Sequence, residues 1–211
     1  MENVVILGAS GQIASWVVVM LANIDDIRMR LVVRDASKLQ GELPNNADVV
    51  TADVLNQSQL EAALAGADIV YANLFGDMAA MAKSVVGAME KLHISRLIFV
   101  NSLGIYNELP GEFGKWNDRE IGQYLGTYRE AADIIESSKL DYSILRAAWL
   151  TDNDEVDFET TERNEVFKGT EVSRKSVATL ITDIILQPDT YSKRNIGVNK
   201  PNTDGDKPAF M

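Results

Sequence analysis

Hydrophobic positions along the chain fall into two recurring kinds of run. Short, β-branched stretches occur at Val4–Leu7, Leu31–Val33, Val49–Val54, Ile69–Leu74, Leu97–Val100 and Tyr142–Leu145, and they are apolar almost throughout. Between most of them lie longer stretches of helical composition, at Gln12–Asn23, Ser58–Ala65, Met78–Leu92 and Arg119–Ser137. Strands covered on both faces lose the alternation of apolar and polar residues and read as continuous apolar runs. Strands that alternate with helices build a parallel sheet. The pattern therefore predicts an α/β fold, a doubly wound parallel sheet with helices on both faces. After Leu150 the character changes: 151–165 is polar and acidic with no clear period, and the tail from Asn199 is rich in turn residues. A further helix is expected over Arg174–Leu186, opened by Ser173 as N-cap and stopped before Pro188. No internal repeat or low-complexity linker divides the chain. One domain over 1–211 is expected, with about 150–211 forming a small C-terminal region.

The first strand runs into its helix through Gly8-Ala-Ser10-Gly11-Gln12-Ile13-Ala14. In a dinucleotide-binding turn the first glycine makes the tight bend and the second lets the backbone approach a pyrophosphate. The third small residue packs helix on strand. Alanine at 14 adds one methyl and satisfies that last demand. The helix that opens near Gln12 offers free N–H groups and the positive end of its dipole to phosphates. A strand before the turn and an apolar helix after it are the context that gives two glycines meaning.

The end of the second strand bears on which dinucleotide is bound. An acid there hydrogen-bonds the ribose hydroxyls and favours NAD(H), whereas a basic residue accommodates a 2′-phosphate. Arg34 follows the strand directly, with Ser37 and Lys38 close behind, which favours NADP(H). Asp35 is the residue that keeps NAD(H) open.

Composition excludes several classes. The chain has 20 basic and 31 acidic side chains and a net charge of −11, with no basic run, so a nucleic-acid partner is not expected. It has no cysteine, which removes disulfides and thiolate chemistry, and the lone His93 cannot build a histidine-rich metal site. No metal is expected. The longest apolar run, Ile13–Ala22, is too short to span a bilayer. No membrane association is expected, and the expected location is the cytoplasm. The Trp16–Met20 stretch reads most simply as a buried helix face, with a dimer interface as the alternative, so the chain is expected to be a monomer or homodimer.

Taken in order, G-A-S-G-Q-I-A, V-V-R-D-A-S-K-L, A-D-V-L, R-L-I-F-V-N-S-L-G-I-Y and D-Y-S-I-L-R-A-A-W-L-T-D resemble the atypical short-chain dehydrogenase/reductases. Within these the match is to the NmrA-like, NAD(P)H-binding group. The resemblance covers essentially the whole chain and implies a Rossmann-type sheet with the cofactor across the carboxyl ends of its strands. It places Asp53 and Val54 beside the adenine, and Ala72, Asn73 and Leu74 along the nicotinamide ribose. Ala147 to Leu150 would then lie near the nicotinamide and the substrate.

That family's usual catalytic set is a serine after the fifth strand and a tyrosine four residues before a lysine. Ser102 matches the serine and Tyr124 the tyrosine, but Tyr128 stands where the lysine belongs. A phenol cannot supply the charge that lowers a tyrosine pKa toward neutrality. Tyr124 would then be a hydrogen-bond donor and a poor base. The chain also resembles flavin reductase, or biliverdin reductase B, whose corresponding helix lacks the tyrosine–lysine pair. That likeness implies hydride transfer to a conjugated or carbonyl small-molecule acceptor such as a flavin or quinone. Orientation would then carry most of the rate. Two alternatives stay open: a non-catalytic redox sensor of the NmrA type, and, less favoured, an NAD-dependent sugar-nucleotide epimerase or dehydratase.

Overall fold

A computed structural model describes residues 1–211. Its strands are β1 (Glu2–Leu7), β2 (Ile27–Val33), β3 (Ala47–Thr51), β4 (Ile69–Ala72), β5 (Arg96–Ser102), β6 (Asp141–Ala147), β7 (Trp149–Thr151), β8 (Glu159–Thr161), β9 (Glu171–Ser173) and β10 (Arg194–Asn199). The helices are α1 (Gln12–Leu21), α2 (Gln57–Leu64), α3 (Met78–Lys91), α4 (Gly111–Glu136) and α5 (Arg174–Leu186). Eight strands form one sheet in the order β3-β2-β1-β4-β5-β6-β10-β8. Its strands pair in parallel except for β8, which joins the β10 edge antiparallel. The remaining two strands, β7 and β9, form a small parallel pair. This is the Rossmann-type α/β sheet that the apolar runs predict.

Successive side chains of a strand point to opposite faces, and the core divides accordingly. Val4 and Ile6 of β1 pack with Ile13, Ala14 and Val17 of α1 and with Val177, Ile181 and Ile184 of α5. Val5 and Leu7 point the other way, into the layer built by α2, α3 and α4. Each helix buries a stripe at helical spacing, such as Met78, Ala82, Val85 and Met89 of α3. The same covered strands explain why so few polar residues interrupt the runs.

The chain departs from the expected elements in two places. α4 begins at Gly111, behind Pro110, rather than at Arg119. Its first two turns contain Gly111, Gly114, Asn117 and Asp118, all weak helix formers that hide the helix from a composition reading. The second departure is that the region from Trp149 onward contributes β7, β8, β9 and β10. Three of these are only three residues long, too short for a period to show. The fourth, β10, is interrupted by Gly197. A Cβ there would lie 2.3 Å from Thr161 Oγ1 and 2.6 Å from Phe167 Cε2, so only glycine lets β8 and the Phe167 ring close on the sheet.

Strand order reverses between β1 and β4, whose connections leave in opposite directions. Open α/β sheets gather ligands at the carboxyl ends of the strands flanking such a point. Here those ends carry Gly8, Arg34, Asp53, Asn73 and, further along, Ser102 and Ala148.

Candidate functional site

Two clefts open along the carboxyl edge of the sheet. The first, about 250 Å³, lies over β1, β2, β3 and β4 and is lined by Gly8, Ser10, Gly11, Arg34, Asp35, Lys38, Asp53, Val54, Asn73, Leu74 and Phe75, among others. The second, about 510 Å³, lies over β4, β5 and β6. Its walls include Ile13, Val100, Asn101, Ser102, Leu103, Ile121, Tyr128, Ala147, Ala148, Trp149 and Leu150. Asn73, Leu74 and Phe75 line both, so the end of β4 joins the clefts side by side.

The turn after β1 is built for close approach. Gly8 has a φ of +75°, in the left-handed region where a side chain is strained, and a Cβ on it would lie 2.1 Å from the Asn73 carbonyl oxygen. A Cβ on Gly11 would lie 2.0 Å from Asn73 Nδ2. Gly11 therefore makes room for the Asn73 amide as well as for any ligand backbone, a constraint from across the sheet. Gly11 caps α1 in an extended conformation with no side chain closing the helix end. The first N–H groups of α1 are left to an external acceptor.

At the far end of the first cleft the charges are arranged for a phosphate. Asp35 Oδ1 accepts from the Ser37 backbone N–H at 3.0 Å and from Ser37 Oγ at 2.7 Å, capping a single helical turn over Ala36–Lys38. The Ser37 bonds, with Lys38 nearby, hold the Asp35 carboxyl below its usual range. That carboxylate is committed to its own turn. Arg34 and Lys38, both exposed and in no ion pair, are left as the cations lining the cleft. Glycines that admit close contact, open helical N–H groups and Arg34 together fit a dinucleotide pyrophosphate and an adenosine bearing a 2′-phosphate.

The expected residues divide as follows. Gly8, Ser10, Gly11, Arg34, Asp53, Val54, Asn73 and Leu74 line the first cleft. Ile13 lines the second, where Asn73, Leu74 and Ser102 also lie. Gln12 is exposed and Ala72 is fully buried in β4, and neither lines a cleft. Tyr124, expected beside Ser102, is 51% exposed and lies outside the second cleft, whose wall takes Tyr128 instead. The two tyrosines are four apart, but the cleft crosses α4 at the Ile121 and Tyr128 positions.

One side chain ties Ser102 to Tyr128. Asn101, at the end of β5, is 4% exposed. Its Oδ1 accepts from the Ser102 N–H at 2.7 Å, and its Nδ2 donates to the Tyr128 carbonyl at 3.1 Å, in the middle of α4. Ser102 Oγ donates to the Leu103 carbonyl at 3.0 Å. Burial pushes the Tyr128 phenol pKa up, so it remains a protonated donor throughout the neutral range. The indole N–H of Trp149 donates to buried Asn117 Oδ1 at 2.8 Å, and its ring packs on Trp116 at 4.7 Å. Trp149 is thereby held as a rigid apolar wall.

Several lining residues were not visible from the sequence. Phe75, 80% exposed, and Phe210 at the tail belong to loops with no periodic pattern. Arg174 lies at the start of α5, far along the chain from every motif. Only Asn101 carried a signal, as the polar residue directly before Ser102 in a buried strand.

A family profile described as NAD(P)H-binding matches residues 8–188. The chain belongs to that NAD(P)H-binding family. No curated protein matches it. Among solved structures it is similar to a Rossmann-fold NAD(P)-binding family protein from Shigella flexneri. That match has 50% identity and a TM-score of 0.88, and covers 100% of both chains. It is also similar to a short-chain dehydrogenase/reductase from Veillonella parvula solved in complex with NADP, at 29% identity and a TM-score of 0.88 over 99% of each chain. An anaerobillin reductase from Escherichia coli O157:H7 shares the fold at 21% identity and a TM-score of 0.83, with 97% of this chain and 100% of that chain covered. No helix is long and apolar enough to cross a membrane.

Proposed function

We propose that this chain is an NADPH-dependent reductase of a small conjugated or carbonyl acceptor. The observation that carries the proposal is the shared wall of Asn73, Leu74 and Phe75, which sets a largely apolar cleft directly beside the dinucleotide cleft. When bound, the reduced nicotinamide supplies a hydride. The protein's part is to seat an acceptor against it and exclude water, and the Trp149, Leu103, Val100 and Ile121 walls suit a flat apolar ring system. Tyr128 is the hydroxyl free to hold an acceptor oxygen, as a neutral donor rather than a base, while the Ser102 hydroxyl donates to the Leu103 carbonyl at the cleft wall. With no strong base in the cleft, orientation carries the rate and the proton reaches the acceptor by exchange with solvent. The NADP found in the Veillonella relative, Arg34 at the cleft and Asp35 turned into its own cap support NADPH over NADH.

Purified protein with NADPH and a panel of flavins, quinones and aldehydes, followed by loss of nicotinamide absorbance, tests the activity. Turnover of at least one acceptor is expected. Tight NADPH binding with no turnover on any acceptor would replace the reductase by a redox sensor. Cofactor choice is tested by Arg34→Ala. NADPH affinity should fall by about tenfold or more, the scale of one charge-assisted contact, while NADH affinity stays within about twofold. An equal loss for both would remove Arg34 from the 2′-phosphate.

A further inference from the structure

We propose that the acceptor carries an anionic group, a carboxylate or its equivalent, and that Arg174 is its anchor. The inference rests on the reductase reading for the word acceptor, but the anion site itself stands on the geometry of the second cleft.

Arg174 is the one charged side chain on a wall otherwise made of apolar groups and a few neutral polar ones. As the first residue of α5 it is fixed by the Ser173 cap, whose hydroxyl accepts from the Ser176 N–H. Its guanidinium is only partly used. Nη1 donates to Asp152 Oδ1 at 2.8 Å and, at 3.5 Å, to the Leu150 carbonyl. The edge formed by Nε and Nη2 makes no hydrogen bond within the protein. A guanidinium edge with two parallel N–H groups is shaped for a carboxylate or phosphate. Set against apolar walls, it is shielded from water more than a surface cation would be.

The existing partner is open to solvent. The Asp152 side chain is 78% exposed, whereas that of Arg174 is 19% exposed, so water reaches and screens the carboxylate end of the pair. Asp152 belongs to an acidic segment that matches three cations in turn: Asp152 with Arg174, Asp154 with Lys175 at 2.5 Å, and Glu155 with Lys200 at 2.7 Å. An entering anion therefore shares Arg174 with Asp152 or displaces it. Arg174 binds through its free edge, and Asp152 acts as a competitor that tunes affinity. The overall charge of −11 does not draw anions to the molecule, so any preference for them must come from this local group.

A redox-silent pair of probes isolates the effect: 2-naphthoate and 2-naphthamide, with the same ring and one charge between them. Calorimetry on the full chain saturated with NADP⁺ measures both. The wild type should bind naphthoate about tenfold tighter than naphthamide, the scale of one charge-assisted bidentate contact. Arg174→Gln should abolish that preference while leaving naphthamide affinity within about twofold. Asp152→Asn, which removes only the competitor, should strengthen naphthoate binding. Equal binding of the two probes by wild type, no binding of either, or an equal loss of both in Arg174→Gln would overturn the proposal. The last of these would make Arg174 a support for the wall. Should Arg174→Gln not fold, Arg174→Lys replaces it: the point charge should keep part of the preference, and an undiminished one would overturn the bidentate anchor. The two readings fail separately: a charge preference with no turnover of any acceptor sinks the reductase and leaves the anion site standing.

Discussion

At the scale of single residues, the choice between Tyr124 and Tyr128 decides how the second cleft works. Aligning the chain on a tyrosine–lysine pattern makes Tyr124 the candidate donor and Tyr128 a defect. The fold puts the Tyr128 ring, partly buried, on the cleft wall and leaves Tyr124 about half exposed beside it. Asn101 strengthens the case, because it holds the backbone of Tyr128 and of Ser102 through one amide. Tyr128→Phe should lower kcat for a turned-over acceptor by about tenfold or more, less than the full range for a general acid because solvent supplies the proton. NADPH affinity should stay unchanged, since Tyr128 is absent from the first cleft. Tyr124→Phe should leave kcat within about twofold. A larger effect of Tyr124→Phe than of Tyr128→Phe would return the donor role to Tyr124. The raised phenol pKa adds a pH signature: Tyr128 stays protonated until above its ordinary value of about 10. A kcat profile that titrates near neutrality would therefore need a group other than Tyr128.

At the scale of elements, the turn between β1 and α1 shows how a local motif is set by a distant strand. Gly8 and Gly11 both face Asn73, on the loop leaving β4, and at about 2 Å a Cβ on either would overlap its atoms. The two collisions differ in kind. At Gly8 the obstacle is the Asn73 backbone carbonyl and φ is +75°, so Gly8→Ala should disrupt the turn outright and abolish NADPH binding. At Gly11 the obstacle is the end of a side chain. Gly11→Ala should weaken NADPH binding and lower stability by roughly 1–3 kcal/mol, the usual scale of overpacking. Adding Asn73→Ala should recover part of that stability, a non-additivity expected of residues in contact. Thermal melts of the two single variants and the double variant check it, and strict additivity would show that the Asn73 amide is not what Gly11 accommodates.

The same turn marks how far the sequence could be read. The parallel sheet, its first six strands and the cofactor turn were legible because each has a local cause: buried strands need apolar runs, and a phosphate turn needs glycines between strand and helix. The reason Gly11 faces Asn73 was not legible, because the two are brought together only by β1 pairing with β4. β10 and the start of α4 were hidden by glycines that serve tertiary contacts rather than propensity. Trp149, within the expected Ala147–Leu150 stretch, was reached through the family resemblance, which points to the residues after the sixth strand. Arg174 and Phe210 had no such address.

At the scale of the whole molecule, the tyrosines link the buried sheet to its response to alkali. Tyr71 sits in β4, at the centre of the eight-stranded sheet, fully buried, and its hydroxyl has no partner. Burial drives its pKa far above the ordinary value, and the Tyr106, Tyr128 and Tyr142 phenols are raised too, each chiefly by burial. The sign follows from linkage. Below about pH 10 these groups are protonated in both the folded and the unfolded chain and do not make stability pH-dependent. Above it the unfolded chain releases its phenolic protons while the folded chain retains them, so stability falls as pH rises toward the folded values. Tyr71→Phe removes one such group together with an unsatisfied buried hydroxyl, whose burial costs about 1–3 kcal/mol. The small void left by the missing oxygen offsets part of that gain. At neutral pH the variant should therefore be more stable by about 1 kcal/mol, and its advantage should widen as the pH is raised above about 10. Denaturant titrations of both proteins at neutral and alkaline pH measure the two effects together. A neutral-pH gain that stays constant into alkali would mean that the Tyr71 phenol ionises inside the fold. No gain at neutral pH would mean that its hydroxyl is satisfied in solution.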